Sequence, residues 1–311
     1  MLLACDPNNL QEFSVFSLLT EEARKVLCKL PNLQVLRTAV LKSIPIAELP
    51  NLTTIDLTYR DGHHLLQGFR GAPLGKLQAI AFHAASKSTQ IGNFLEDFQT
   101  VALLSSIQNT LSSFIFRTQQ PWNPNYASLL EFKQLRWLEI EFSCSTGCSS
   151  RVDNDIVINL ARAMPKLETL QLGKEPCDAI TGITLKGLIS LARYCPKLSR
   201  LCIHFRALGL AEAGTNLVAP HLYEHATPTP MTFSALTKLQ VGEIPIRKQD
   251  CFAVALALVQ IFPFILHIEY ANLRWMKVLE TIHLMKRIGG GIYHTSKLSL
   301  CHSCLPLLTL C

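Results

Sequence analysis

Two clusters in this chain carry residue types that bind zinc: Cys144-x3-Cys148 inside the run SCSTGCSS, and Cys301-His302-x-Cys304. A structural zinc site takes four thiolate or imidazole ligands, usually from paired short spacings. The first pair has no obvious second pair and the last cluster lies in a tail read as outside the fold, so no metal is expected at either. His63-His64 after Asp61-Gly62 reads as a solvated turn. GFRGAPLGK, residues 68–76, imitates a phosphate loop but has Arg70 where the first glycine belongs and Leu77 where a magnesium-binding hydroxyl would stand. Gly289-Gly290-Gly291 does not open a helix after a strand as a dinucleotide fingerprint would. No Ser/His/Asp or Cys/His set emerges from spacing. The sequence therefore predicts no catalytic residue, no cofactor and a protein that is not an enzyme.

The remaining chemistry is that of recognition. Aromatic and arginine side chains dominate the energy of protein interfaces, and six residues on or beside predicted strands have suitable types: Trp137, Glu139, Glu141, Arg117, Arg206 and His204. They form one surface only if their strands lie side by side. That requirement turns attention to the periodicity of the chain.

Five prolines, Pro31, Pro50, Pro165, Pro196 and Pro263, stand two residues before a leucine or isoleucine that opens the pattern L-x-x-L-x-L or a variant. Opening residues are read at Leu33, Leu52, Leu77, Leu111, Leu135, Leu167, Leu198, Leu239 and Ile265, giving nine units with intervals of 19, 25, 34, 24, 32, 31, 41 and 26 residues. Such irregular intervals do not suit ankyrin or tetratricopeptide arrays but are compatible with leucine-rich repeats. Thr38 at the fifth position after Leu33 and Gly242 at the third after Leu239 are the weak matches.

Between these openings the apolar period lengthens to that of a helix. Val157, Leu160, Ala161 and Met164 form one such stripe; Leu185, Leu188, Ile189 and Ala192 form another; Ala255, Leu258, Val259 and Phe262 form a third. Ala23, Val26, Leu27 and Leu30 repeat it near the start. Asp153 or Asn154, and Thr184, are candidate N-caps. Proline then ends each helix, because its ring lacks an amide donor and clashes with the preceding turn. The unit is strand, loop, helix, proline. Burying three apolar strand residues yields roughly 5–9 kcal/mol gross, less than the backbone entropy of ordering the unit, about 1–2 kcal/mol per residue, so units must stack. The predicted fold class is α/β, a leucine-rich-repeat solenoid with parallel strands on a concave face and helices on the convex face. Thr54, Asp56 and Thr58, then Trp137, Glu139 and Glu141, then Arg200, Cys202 and His204 should face the concavity.

The predicted organisation is an N-terminal helical cap over 1–29, the solenoid over 30–287 with an inserted loop at 207–235, and an unstructured tail over 288–311. The net charge of +6 is concentrated late: five cations against Glu280 leave +4 in residues 271–311. No Lys/Arg stripe with interleaved aromatics lies on the predicted concave strands, so no nucleic-acid partner is expected. The 11 cysteines are read as reduced, and the opening residues as no secretory signal, which predicts a cytoplasmic or nuclear protein. Cys251–Ile268 is long enough on paper to span a bilayer, but Gln260 and Pro263 interrupt it. It reads instead as buried helix, proline and strand, with no membrane partner.

Residues 133–206, with FKQLRWLEIEFS, VDNDIVINLARAMPKLETLQLG and TLKGLISLARYCPKLSRLCIHF, resemble the leucine-rich-repeat half of fungal F-box proteins. The later DCFAVALALVQIFPFILHIEY and WMKVLETI look like that group's closing helix, strand and final helix. The resemblance implies an intracellular, non-enzymatic substrate-recognition role in an SCF ubiquitin ligase and in ubiquitin-dependent protein degradation, with a protein captured on the concave face. An F-box needs some 40 helical residues, whereas residues 1–29 supply one helix, so the SCF adaptor subunit is expected as a partner only if an F-box is present. The alternative is a free-standing interaction scaffold or inhibitor with no ubiquitin-ligase link.

Overall fold

The computed structural model describes residues 9–40, 46–60, 62–70, 72, 74–85, 93–104, 106–119, 124–142, 152–173, 182–206, 234–242, 246–270 and 272–289. The Cys144/Cys148 and Cys301/His302/Cys304 clusters, the 207–235 insertion except its last two residues, and residues 290–311 lie outside them.

Among the described residues ten strands form one sheet in the order of the sequence. They are β1 (Glu12–Leu18), β2 (Val35–Val40), β3 (Thr54–Tyr59), β4 (Ala79–Ala84), β5 (Ser113–Thr118), β6 (Trp137–Phe142), β7 (Thr169–Leu172), β8 (Arg200–Ile203), β9 (Lys238–Gly242) and β10 (His267–Tyr270). Every neighbouring pair is parallel. Helices α1 (Glu21–Leu27), α2 (Gly62–Gln67), α3 (Phe94–Leu104), α4 (Asn154–Ala163), α5 (Leu185–Tyr194), α6 (Cys251–Ile261) and α7 (Arg274–Gly289) complete an α/β fold. His63 and His64, expected in a turn, belong to the backbone of α2.

The ladders show why these residues form these strands. Phe13, Leu36, Ile55, Ile80, Phe114, Leu138, Leu170, Leu201, Leu239 and Ile268 are register partners from β1 to β10, and all are buried. A second row, Thr38, Leu57, Phe82, Phe116, Ile140, Leu172 and Ile203, runs two residues further along β2–β8. Successive side chains on a strand point to opposite faces, so these rows share the face that packs into the helices. Each helix contributes buried residues to the same apolar cluster.

A backbone motif recurs at each junction. The carbonyl just ahead of a strand accepts two successive amides of the next turn. Thr53 and Thr54 donate to Gln34 at 2.8 and 3.0 Å, Arg136 and Trp137 to Ser112 at 2.8 and 3.0 Å, and Leu266 and His267 to Thr237 at 2.9 and 3.0 Å. Polar backbone that enters the sheet edge is thereby satisfied without a side chain. At β10 the series changes: the His283 ring takes Leu266 O from Nε2 at 3.3 Å, and the Lys286 ammonium donates to Ile265 O.

The helices end where proline requires. Met164, Cys195 and Phe262, each preceding a proline, are the C-caps of α4, α5 and α6. Asp153 caps α4 by accepting from Ile156 N at 2.9 Å, and Thr184 caps α5 by accepting from Lys186 N at 3.3 Å. The apolar run 251–268 divides into α6 and β10, and among the described residues no helix is long and apolar enough to cross a membrane.

Two further features differ from the sequence reading. Residues 1–29, expected as a helical cap, contribute β1 before α1, because Leu10, Phe13 and Val15 repeat the apolar spacing and pack on the core. Pro7 stands three residues before Leu10 instead of two, which hides the unit. The eighth opening residue is Leu236, not Leu239. Leu236, Leu239 and Val241 are all 0% exposed, so Leu239 is the third-position residue of that unit. Lys238-Leu239 imitates the Lys-Leu pairs that open the units at Leu167 and Leu198.

Candidate functional site

The face of the sheet opposite the apolar ladders carries the residues between them. Their positions fall two, four and six residues after each opening residue. The middle row, Asp56, Ala81, Ile115, Glu139, Gln171 and Cys202, is continuous in register across β3–β8. Thr58, His83, Arg117 and Glu141 are likewise neighbours on β3–β6.

Four of the six predicted site residues meet on β5 and β6. Arg117 Nε donates to Glu139 Oε1 at 2.6 Å and lies 3.4 Å from Glu141 Oε2. Trp137 Nε1 donates to the other Glu139 oxygen at 3.4 Å. The Glu139 side chain is only 5% exposed while Arg117 remains 45% exposed. A carboxylate withdrawn from water needs such donors, because an unpaired buried charge is costly. The hydrogen bond to Glu139 is the main reason that the Arg117 guanidinium titrates above its ordinary value; desolvation opposes it.

Trp137 is half-buried. Its indole has the Arg200 guanidinium 6.0 Å from the ring centroid, at the outer range of a cation–π contact. Trp137, Thr169 and Arg200 are successive register partners, so this contact reaches across one intervening strand. On the other side, His83 Nε2 is 3.0 Å from Asp56 Oδ1, and His83 is the register partner of Arg117. A belt of polar and aromatic groups thus runs from Asp56 on β3 to Arg200 on β8.

His204 and Arg206 lie past the end of β8. The Arg206 amide donates to Ile183 O at 2.7 Å, which ties this segment to the start of α5, and the Arg206 side chain is exposed. Burial lowers the His204 pKa below its ordinary value. Both lie beyond the strand ladder on which the Arg117–Glu139 group stands. Sequence reasoning placed Asp56 and Arg200 on this face without naming them as site residues, and it missed His83. The signal was available: His83 follows Leu77 by six residues, as Arg117 follows Leu111 and Glu141 follows Leu135.

The described cysteines Cys28, Cys195, Cys202 and Cys251 are buried and unbridged. Burial pushes the Cys195 thiol up to about 12 and the Cys28 thiol to about 11, so both are protonated and unreactive near neutrality. Cys195 Sγ lies 3.6 Å from both Ala161 O and Met164 O, serving the carbonyls at the end of the previous helix. Among the described residues no three His, Cys, Asp or Glu side chains are grouped to hold a metal ion.

Fold and face together define an α/β protein with one sequential parallel sheet and a polar, partly aromatic open face. No protein-family model matches the chain, and no curated protein matches it either.

Proposed function

We propose that this chain is a leucine-rich-repeat solenoid, similar to the repeat half of fungal F-box proteins, that binds a protein on its open sheet face without catalysing a reaction. The observation that carries the reading is the belt from Asp56 to Arg200, where Trp137 and Arg117 stand over a ladder of small and polar neighbours such as Ala79, Ala81 and Ser113. Trp and Arg on a rigid platform are the side chains that contribute most at protein interfaces, and their positions are fixed before a partner arrives because the strands beneath them are in register. Pre-organisation of this kind lowers the entropic cost of association. Substrate recognition for ubiquitination is the role that this class of platform would serve in an SCF ligase.

A free-standing scaffold is the second reading. Residues 12–18 pair with β2 in the sheet, so this stretch belongs to the platform in either reading.

Trp137→Ala tests the first claim. It is expected to weaken capture of the partner by about 2 kcal/mol or more with an unchanged circular dichroism spectrum and unfolding midpoint. Unchanged affinity would remove Trp137 from the site, and global unfolding would make it core. Retention of the SCF adaptor subunit by the full chain in a pull-down separates the ligase reading from the scaffold.

A further inference from the structure

The sheet has a second surface that the open-face reading does not use. Along the edge where the chain enters β3–β6 lies a groove of about 740 Å³, lined by Thr53, Lys76, Gln78, Ser112 and Arg136 among others. Thr53, Gln78, Ser112 and Arg136 each immediately precede a strand, so they form one rung across four neighbouring strands. With strands about 4.8 Å apart, that rung spans roughly 14 Å, the length of four to five residues of extended chain.

The polar groups in this groove divide by chemistry. The Thr53 hydroxyl donates to Gln34 O at 3.2 Å, and the Ser112 hydroxyl donates to Gln78 O at 3.0 Å. Each hydroxyl has one proton, so toward the groove both oxygens can only accept. The charges run the other way. Lys76 Nζ donates to the neutral amide oxygen of Asn51 at 2.6 Å, which leaves its charge uncompensated by that contact. Arg136 is 59% exposed and pairs at 3.5 Å with Glu168, a carboxylate outside the groove lining, so Lys76 is the less compensated of the two cations. Gln78 adds an exposed amide. No carboxylate is among the described residues that line the groove.

A free carboxylate would meet the cations but carries no donor for the hydroxyl acceptors. An extended peptide with acidic side chains satisfies both, because its backbone amides donate while its side chains bring negative charge. We propose that this groove is a second binding site, for an extended acidic peptide segment whose carboxylate or phosphoryl groups lie against Lys76 and Arg136 and whose amides lie against Thr53 and Ser112. The site stands independently of the open face.

The test uses the full chain and fluorescence anisotropy with labelled peptides of about eight residues: Glu-Ser repeats, the same peptide with phosphoserine, and neutral Gln-Ser repeats. Either acidic peptide should bind, the neutral one should not, and raising salt from about 0.05 to about 0.5 M should weaken binding. Stronger binding of the phosphoserine peptide would identify phosphoryl as the preferred group; equal binding would identify carboxylate as sufficient. The double variant Lys76→Gln/Arg136→Gln should lose about tenfold or more in affinity, whereas Lys248→Gln/Lys277→Gln, which removes the same charge near α6 and α7, should not. Equal losses in the two variants, binding of the neutral peptide, or competition by inorganic phosphate at the peptide's own concentration would each overturn the proposal. Trp137→Ala is the separate arm for the open face: loss of peptide binding there, with Lys76→Gln/Arg136→Gln unaffected, would place the peptide on that face and reject the groove.

Discussion

The stretch from β3 to β5 and the stretch from β6 to β8 support the same ladder by different means. In the first, aromatic rings fill the space beneath the strands. Phe82 contacts Tyr59, Phe69, Phe94, Phe98 and Phe114 at centroid distances of 5.2–6.3 Å, and Phe98 stacks on Phe132 at 5.6 Å. The covering helices are unequal, with six residues in α2 and 11 in α3. In the second stretch α4 and α5 have ten residues each, and the filler is aliphatic: Leu160, Leu170, Leu188 and Leu201 are all 0% exposed. Register is unbroken through both. The strand spacing is therefore set by the backbone motif and the apolar rows, while the helical arm varies so long as its volume is replaced. Rings do that where a short helix leaves room, since interiors pack without voids.

The neighbouring arms also differ in how they are joined. Asn154, the first residue of α4, accepts from Thr184 N and Gly187 N, both at 3.0 Å, and donates to Thr184 Oγ1 at 3.1 Å. One side chain thus ties the start of α4 to the start of α5. Gly187 makes the approach possible, because an added Cβ would lie 3.0 Å from Asn154 Oδ1 and 3.1 Å from Ile183 Cγ2. The aromatic stretch has no such described link.

The largest effect should come from the filler. Phe82→Ala is expected to cost about 4 kcal/mol and Leu170→Ala about 3 kcal/mol in urea unfolding; a smaller loss for Phe82 would break the contrast between ring-filled and aliphatic stretches. Next in size, Asn154→Ala should cost about 2 kcal/mol, because two helix-start amides lose their acceptor, and hydrogen exchange should rise at Thr184 and Gly187 but not in α3. Uniform exchange would show that the arms are not separately tied. The smallest effect is a pH dependence. Burial lowers the His204 pKa from 6.5, so the unfolded chain takes up the proton first. The stabilisation is complete above about 6.5 and is lost as pH falls through that value toward the depressed folded one. Unfolding at pH values on either side should show the decline, and His204→Gln should flatten it.

Much of this architecture was readable because buried strand residues must be apolar at fixed spacing. Leu135, Leu138 and Ile140, or Leu198, Leu201 and Ile203, cannot be polar without opening the core, and the proline after each helix marks where the next strand starts. The pattern failed where another residue imitated it, as Leu239 did for Leu236, and where spacing ahead of the unit changed, as at Leu10. The aromatic stretch was less legible in its helices, since a ring reaching across a gap needs no 3.6-residue period. On the open face the row of each residue follows from its offset, which brought Trp137, Glu139, Glu141 and Arg117 together. The partners did not follow. That Glu139 is buried between Arg117 and Trp137, or that His83 meets Asp56, depends on side-chain reach across strands. His204 and Arg206 fell outside because β8 ends at Ile203, a boundary that alternation alone does not set.

The replacement of strand amides by the His283 ring at the Leu266 carbonyl has a consequence for solubility. An unpaired row of backbone acceptors can template addition of a foreign strand and seed aggregation. Here α7 occupies the acceptor at the start of β10 through the His283 ring, so an incoming chain cannot begin to zip from that corner without first prising the imidazole away.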